Sequence, residues 1–221
     1  MLVNGNTVGS RENLKWNTNE VRLKRKSLSF SDIQEQVLIG LILGDGYLMG
    51  NKTDKNFRLQ VEQSDKHKEY VYWLYSMFQD WTLSSPKYVK QHNSWRFRTI
   101  VHPEITKLRR LFYRGDKKIV PVGINKLLVS PLSLSVWFMD DGGGRKDART
   151  YNISTHSFSK RENELLVNCL KNNFKITSKL HLDGHGERYR LYIPASSSID
   201  FEKLILPYIL PSMKNKLPLT P

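Results

Sequence analysis

One pattern occurs twice in this chain and limits what the rest of it can become. Leu38-Ile-Gly-Leu-Ile-Leu-Gly-Asp45-Gly46 and Leu134-Ser-Val-Trp-Phe-Met-Asp-Asp141-Gly142 are each an apolar run closed by a carboxylate and then a glycine. A helix lying on a protein surface alternates apolar and polar residues with a period near 3.6. Val37 to Leu43 and Val136 to Met139 carry no polar residue at all, so both predict helices buried on every side. They are much shorter than the roughly 20 residues that span a bilayer and must bury against protein. The economical arrangement packs them against each other. Gly40 and Gly44, four positions apart, then share a helix face and permit close backbone approach, and Asp45 and Asp141 meet at one end of the pair.

The flanking residues define the helix ends. Ser31 with Gln34 has the spacing of a capping box, and Ser130-Pro131 places a cap residue before a proline at the first helical position. Gly46 closes the first run, and Gly142, Gly143 and Gly144 close the second. A carboxylate is unfavourable at a helix C-terminus, where the macrodipole is already negative. Two such placements require nearby cations.

These two runs resemble the paired motifs of the LAGLIDADG homing endonucleases of the single-chain, two-motif type. The resemblance covers about residues 31–218. It implies an α+β fold with pseudo-twofold symmetry, in which Asp45 and Asp141 are the metal-binding catalytic acids and Mg²⁺ is the cofactor, other divalent cations substituting. Asp140 is a second candidate acid, but the register with Asp45-Gly46 favours Asp141. Lys118 and Lys216 match the family's active-site lysines, and Gln63 its polar residue that orders water; the counterpart of Gln63 by spacing is His156. Val136 and Asp140 depart from the pattern, standing where the motif has small residues, and so predict less close packing at the second motif.

The remaining sequence repeats in step with the motifs. Lys118 follows Asp45 by 73 positions (118 − 45) and Lys216 follows Asp141 by 75 (216 − 141), each shortly before a proline. After the first motif, Phe57–Glu62 alternates like a strand. Ser64 stands as the cap of a helix carrying Val71, Leu74, Tyr75 and Phe78. A hairpin Lys87–Ile100 turns at Gln91–Asn93, and a helix from Pro103 carries Leu108, Leu111 and Phe112 before a basic loop at 116–121. After the second motif come a strand Thr150–Thr155, a helix with a Ser159–Glu162 capping box, a hairpin pairing Lys175–Leu182 with Glu187–Ile193, and a helix Ser198–Leu206. The expected organisation is an N-terminal basic arm at 1–30, read as extended and including Arg22, Lys24, Arg25 and Lys26, then duplicated αββαββα halves at 31–120 and 121–221.

The chain has 35 Lys and Arg against 21 Asp and Glu, a net charge of +14 that favours a polyanionic partner. Nothing in the sequence reads as a basic amphipathic membrane helix, a lipidation motif, a signal peptide or a transmembrane run, which leaves nucleic acid as the partner and no membrane. Cys169, the single cysteine, falls on a helical apolar face and excludes disulfides and a cysteine zinc site within the chain.

Hydrolysing a phosphodiester needs a positioned water, charge stabilisation in the transition state and help for the leaving oxygen, all of which carboxylate-held metal ions supply. Cutting both strands of a duplex needs two such centres. Antiparallel hairpins fit the major groove, with candidate contacts at Arg58, Gln60, Lys87, Lys90, Arg96, Arg98, Lys179, His181, Arg188 and Arg190. The reading is a monomeric, Mg²⁺-dependent endonuclease acting on long asymmetric duplex DNA. By family resemblance it is intron-encoded, promotes intron homing and acts in an organelle, mitochondrion or chloroplast. The alternatives are an RNA maturase that binds intron RNA, and a noncatalytic DNA-binding module.

Overall fold

The structure is a computed structural model that describes residues 18–50, 56–145, 147–182 and 188–218. Helix α1 (Asn19–Ser27) precedes the first half, which runs α2 (Asp32–Leu43), β1 (Tyr47–Met49), β2 (Arg58–Ser64), α3 (Lys68–Met77), β3 (Lys87–Val89), β4 (Ser94–Arg98) and α4 (Pro103–Phe112). A small hairpin of β5 (Tyr113–Arg114) and β6 (Lys117–Lys118) follows. The second half runs α5 (Pro131–Asp141), β7 (Gly142–Gly144), β8 (Tyr151–Ser154), α6 (Lys160–Phe174), β9 (Lys179–Leu182), β10 (Tyr189–Ile193) and α7 (Ala195–Ile205). Both halves have the αββαββα order. Each folds its strands into one antiparallel four-stranded sheet of the same topology, β1-β2-β4-β3 and β7-β8-β10-β9.

The two motif helices lie at the centre. Every residue from Val37 to Leu43 and from Ser133 to Met139 is buried. Each fully buried Leu or Ile contributes roughly 1.5–3 kcal/mol through removal from water, which explains why these runs carry no polar stripe. The capping signals act as expected. Ser31 and Gln34 form a reciprocal capping box, with bonds of 3.3 and 3.0 Å, and Ser130 Oγ accepts from the Leu132 amide at 3.2 Å.

Packing at the second motif is closer than Val136 and Asp140 predict. A Cβ added at Gly40 would lie 2.7 Å from Val136 Cβ, and one at Gly44 would lie 2.5 Å from Asp140 Cβ. The motif positions therefore face their own counterparts across the helix pair. The larger residues of α5 occupy the space that the glycines of α2 leave open.

Several other expectations are corrected. The segment at 18–30 is not an extended arm: Thr18 caps α1, Val21 is buried with Leu83 and Ile100, and Phe30 stacks on Trp81 at 3.7 Å. Lys24, Arg25 and Lys26 fall in the last turn of α1, where they complement the helix dipole. Residues 1–17 lie outside the described residues. Ser64 makes no side-chain cap; a 3₁₀ turn at Asp65–His67 leads into α3 instead. The basic segment after α4 is a hairpin whose turn uses Gly115 at φ +59°, a conformation that suits glycine. Leu111 is 44% exposed and lies off the apolar face of α4. Lys175 is the left-handed cap of α6, so the first strand of the second hairpin begins at Lys179. The turn of that hairpin lies outside the described residues. Helix α7 starts three residues earlier than Ser198.

Candidate active site

The parallel ends of α2 and α5 bring three acids together. Asp45, just past the end of α2, is exposed, whereas Asp140 and Asp141 end α5 and are half-buried. The Asp45 amide donates to Asp140 Oδ2 at 3.0 Å. Gln63, at the end of β2 and on its helix-facing side, donates through Nε2 to Asp45 Oδ2 at 2.8 Å and to Asp140 Oδ1 at 3.3 Å. Burial, and then the charge of Asp45, push the Asp141 carboxyl up to about 7. The same two causes hold Asp140 well above the usual carboxylate range.

Both expected lysines reach this end of the helix pair. Lys118 Nζ, on β6, donates to the carbonyls of Gly44 at 2.5 Å and Gly46 at 3.1 Å. Lys216 Nζ donates to those of Met139 at 2.5 Å and Asp140 at 2.7 Å. A helix C-terminus leaves carbonyls without intrahelical donors, so each ammonium group satisfies orphan acceptors and offsets the negative end of the dipole. The cations demanded by acids at two helix ends are thus partly these lysines. Burial lowers the pKa of both, against the attraction of the acids beside them.

Buried Arg109 braces Lys118. Its guanidinium donates to Leu48 O on β1, and to Gly115 O and Asp116 Oδ1 in the β5–β6 turn, at 2.7, 2.7 and 2.8 Å. It also lies 3.8 Å from the Tyr113 ring centre, and Tyr113 Oη accepts from the Leu48 amide at 3.2 Å. The hairpin that carries Lys118 is thereby tied to the strand that leaves Asp45. In the second half, Gly144 of β7 leaves room for Pro218, two residues past Lys216.

Strand register places the remaining candidates. In the first sheet Gln60 pairs with Arg98, Glu62 with Arg96, and Lys87 with Arg96, so Arg58, Gln60, Lys87, Arg96 and Arg98 share the face away from the helices. Lys90 stands in the β3–β4 turn. In the second sheet Lys179 pairs with Tyr192 and His181 with Arg190, which puts Lys179, His181 and Arg190 on the corresponding face; Arg188 precedes β10. Register also revises the counterpart of Gln63. Tyr47 pairs with Gln60 where Gly142 pairs with Ile153, which aligns Val61 with Ile153 when Gly46 is matched to Gly142. Thr155 is then the equivalent of Gln63, and its hydroxyl donates to Tyr189 O at 3.2 Å. His156 is half-buried one residue further on.

A model of the LAGLIDADG DNA endonuclease family matches residues 35–201. The chain belongs to this family. It is 33% identical over 206 residues to a probable intron-encoded endonuclease of Wickerhamomyces canadensis, covering 88% of this chain and 87% of the relative. It is also 29% identical to a cytochrome b mRNA maturase, bI2, of Debaryomyces hansenii, covering 82% and 72%. Among solved structures, the homing endonuclease I-WcaI bound to its DNA recognition sequence superposes with a TM-score of 0.83 at 31% identity, covering 94% and 96%.

For a LAGLIDADG protein the donors here suit a hard divalent cation, since Asp45 and Asp141 offer carboxylate oxygens at the same end of the helix pair. Among the described residues no three His, Cys, Asp or Glu side chains form a ready metal cage, so an ion here would draw further oxygens from water and phosphate. Several further groups take part in these surfaces. Glu62 sits among the basic residues of the first outer face, accepting from His92 at 2.8 Å and Ser94 at 2.7 Å and pairing with Arg96 at 3.5 Å. Tyr192 stacks on His181 at 4.2 Å on the second, and strand alternation with Arg190 would have found it. His67 lies near Asp45 and Lys216; burial, then the Lys216 and Lys66 charges, hold its pKa below the usual histidine value. Arg109 and the bridging role of Asp140 have no sequence signal, because both depend on packing.

Proposed function

We propose that this chain is a site-specific homing endonuclease that hydrolyses both strands of a long, asymmetric DNA duplex with the help of a divalent cation, Mg²⁺ in the first instance. The observation that carries the reading is the convergence of Asp45 and Asp141 at one end of the paired helices, with Lys118 and Lys216 beside them. Asp45 and Asp141 would hold the metal. When bound, such an ion supplies an activated water and charge stabilisation at the scissile phosphate. Gln63 orients the Asp45 carboxylate. Lys118 and Lys216 lie where an ammonium group with a depressed pKa can exchange a proton with the attacking water or steady the phosphate. Thr155, the register counterpart of Gln63, has its hydroxyl engaged, and His156 is the side chain we assign to ordering water at the second centre.

The two outer sheet faces form the proposed DNA surface, each entering the major groove of one half-site. Arg58, Gln60, Lys87, Lys90, Arg96 and Arg98 serve one half-site, and Lys179, His181, Arg188 and Arg190 the other. Because these sets differ, the two half-sites differ in sequence. The likeness to an intron-encoded endonuclease supports intron homing in a mitochondrial or chloroplast genome by a monomer. Among the described residues no helix is long and apolar enough to cross a membrane. The likeness to a cytochrome b mRNA maturase supports a second reading, binding of intron RNA to assist splicing.

Incubating the purified protein with a randomised duplex library, with Mg²⁺ or with EDTA, tests the proposal. The expected outcome is Mg²⁺-dependent cutting of both strands at a nonpalindromic consensus. A palindromic optimum contradicts one hairpin per half-site. A preference for intron RNA over every DNA duplex establishes the maturase reading.

A further inference from the structure

The equivalent acids of the two motifs are not equivalent in structure. Helix α5 continues through Asp141, but α2 ends at Leu43. The Gly44 amide still reaches Gly40 O at 3.0 Å and the Gly46 amide turns back to Leu41 O at 2.7 Å. The Asp45 amide between them leaves the helical pattern and takes its acceptor from the other half of the molecule, Asp140 Oδ2. The second oxygen of that carboxyl accepts from Gln63, whose same amide nitrogen holds the Asp45 carboxylate. The buried Tyr70 hydroxyl lies against the carboxyl as well.

Only one half can be built this way. Gly44 holds the position equivalent to Asp140, and a Cβ there would lie 2.5 Å from Asp140 Cβ, so the space admits one side chain and Asp140 fills it. Both Asp140 oxygens are engaged by N–H donors of the first half, a different use from that of Asp45 and Asp141.

We propose that Asp140 is a positioning residue for the Asp45 centre: it fixes the Asp45 main chain and the Gln63 amide, so that the first half's centre is completed by the second half and the two centres are unequal. This rests on the endonuclease reading given above. Asparagine at position 140 offers one acceptor and one NH₂ where two N–H donors converge. Whichever way its amide turns, either the Asp45 amide or Gln63 Nε2 faces an NH₂ that cannot accept, whereas both carboxyl oxygens can accept with or without a proton.

The test uses the full chain and its selected duplex, labelled on each strand in turn, with Mg²⁺. Asp140→Asn should slow one strand by about 10- to 100-fold and the other by no more than a few-fold. The affected strand should be the one that Gln63→Ala slows most. The double variant should cut that strand no more slowly than the slower single variant, because the two residues act through one network. A metal-free readout accompanies it: the Asp45 backbone amide should exchange with solvent at least about tenfold faster in Asp140→Asn than in wild type, with the Asp141 amide unchanged. If Asp140→Asn does not fold, Asp140→Ala, which sets two small residues face to face, carries the same measurements. Equal slowing of both strands, additivity with Gln63→Ala, or unaltered exchange at Asp45 overturns the proposal. A wild-type protein that cuts no duplex overturns the endonuclease reading itself, whereas wild-type cutting with equal slowing in the variant overturns only the role of Asp140.

Discussion

Gly40→Ala sets two effects of known sign against each other. In the interior of α2, alanine is favoured over glycine by about 1 kcal/mol because the unfolded glycine backbone has more freedom to lose. Against that, the new methyl would lie 2.7 Å from Val136 Cβ and press on the main-chain carbonyl of Ser133. Carbon atoms sit comfortably at about 3.5–4.0 Å, and overpacking a tight core costs about 1–3 kcal/mol. The Ser133 carbonyl belongs to a helix backbone and cannot rotate away, so the upper part of that range applies. The expected balance is a destabilisation of about 1–2 kcal/mol, or a Tm lower by about 2–8 °C for a chain of this length. Urea melts of Gly40→Ala, Val136→Ala and the double variant measure it. The double variant should be more stable than the sum of the single losses predicts, since removing the Val136 methyls relieves part of the clash. A Gly40→Ala protein more stable than wild type would refute helix–helix contact at this glycine.

Three further outcomes follow from the site. Lys118→Met and Lys216→Met remove the ammonium groups without removing an acid, so cleavage should slow by about 10²–10³-fold rather than vanish, as read by single-turnover nicking. In metal-free protein, burial and the charge of Asp45 raise the Asp141 carboxyl to about 7 from its ordinary 3.8. Its cost to folding is therefore absent below about pH 4 and grows to a ceiling of about 4 kcal/mol as pH rises to 7. Asp141→Asn should accordingly stabilise the metal-free protein in urea melts at pH 8 by about 1–4 kcal/mol and have little effect near pH 4, whereas a pH-independent difference would count against the burial argument. DNA affinity without metal should fall by about 10³ between 50 and 200 mM salt if about six phosphates are engaged, and a flat salt profile in a filter-binding assay would exclude the groove-lining role of the basic sheets.

The sequence made the scaffold legible because its strongest signals are local. Apolar runs with no polar stripe mark Val37–Leu43 and Val136–Met139 as buried helices, and strict alternation separates Leu59, Val61 and Phe97 from Gln60, Arg96 and Arg98 on opposite sheet faces. Pairing Asp45 with Asp141 and Lys118 with Lys216 was legible because duplication repeats their spacing. What escaped depends on contacts between segments distant in sequence. Val136 and Asp140 read as poor packing residues until they are seen facing Gly40 and Gly44. Arg109 reads as one more basic residue on a helix, and only the fold carries Leu48 and the Asp116 turn to its guanidinium. Thr155 displaces His156 as the counterpart of Gln63 because strand register, rather than distance along the chain, sets equivalence.

Asp45 and Asp141 are the acids proposed to hold the metal for cleavage, and substituting each of them tests that role. Asp45→Asn and Asp141→Asn keep side-chain size and remove the charge that would hold a divalent cation. Strand-resolved cleavage of the selected duplex in Mg²⁺ should be abolished or severely reduced in each variant, with metal-free DNA affinity equal to wild type or slightly tighter at a temperature where all three proteins are folded. Undiminished cutting by both variants, with divalent metal stringently controlled, would exclude these two acids as the catalytic metal ligands.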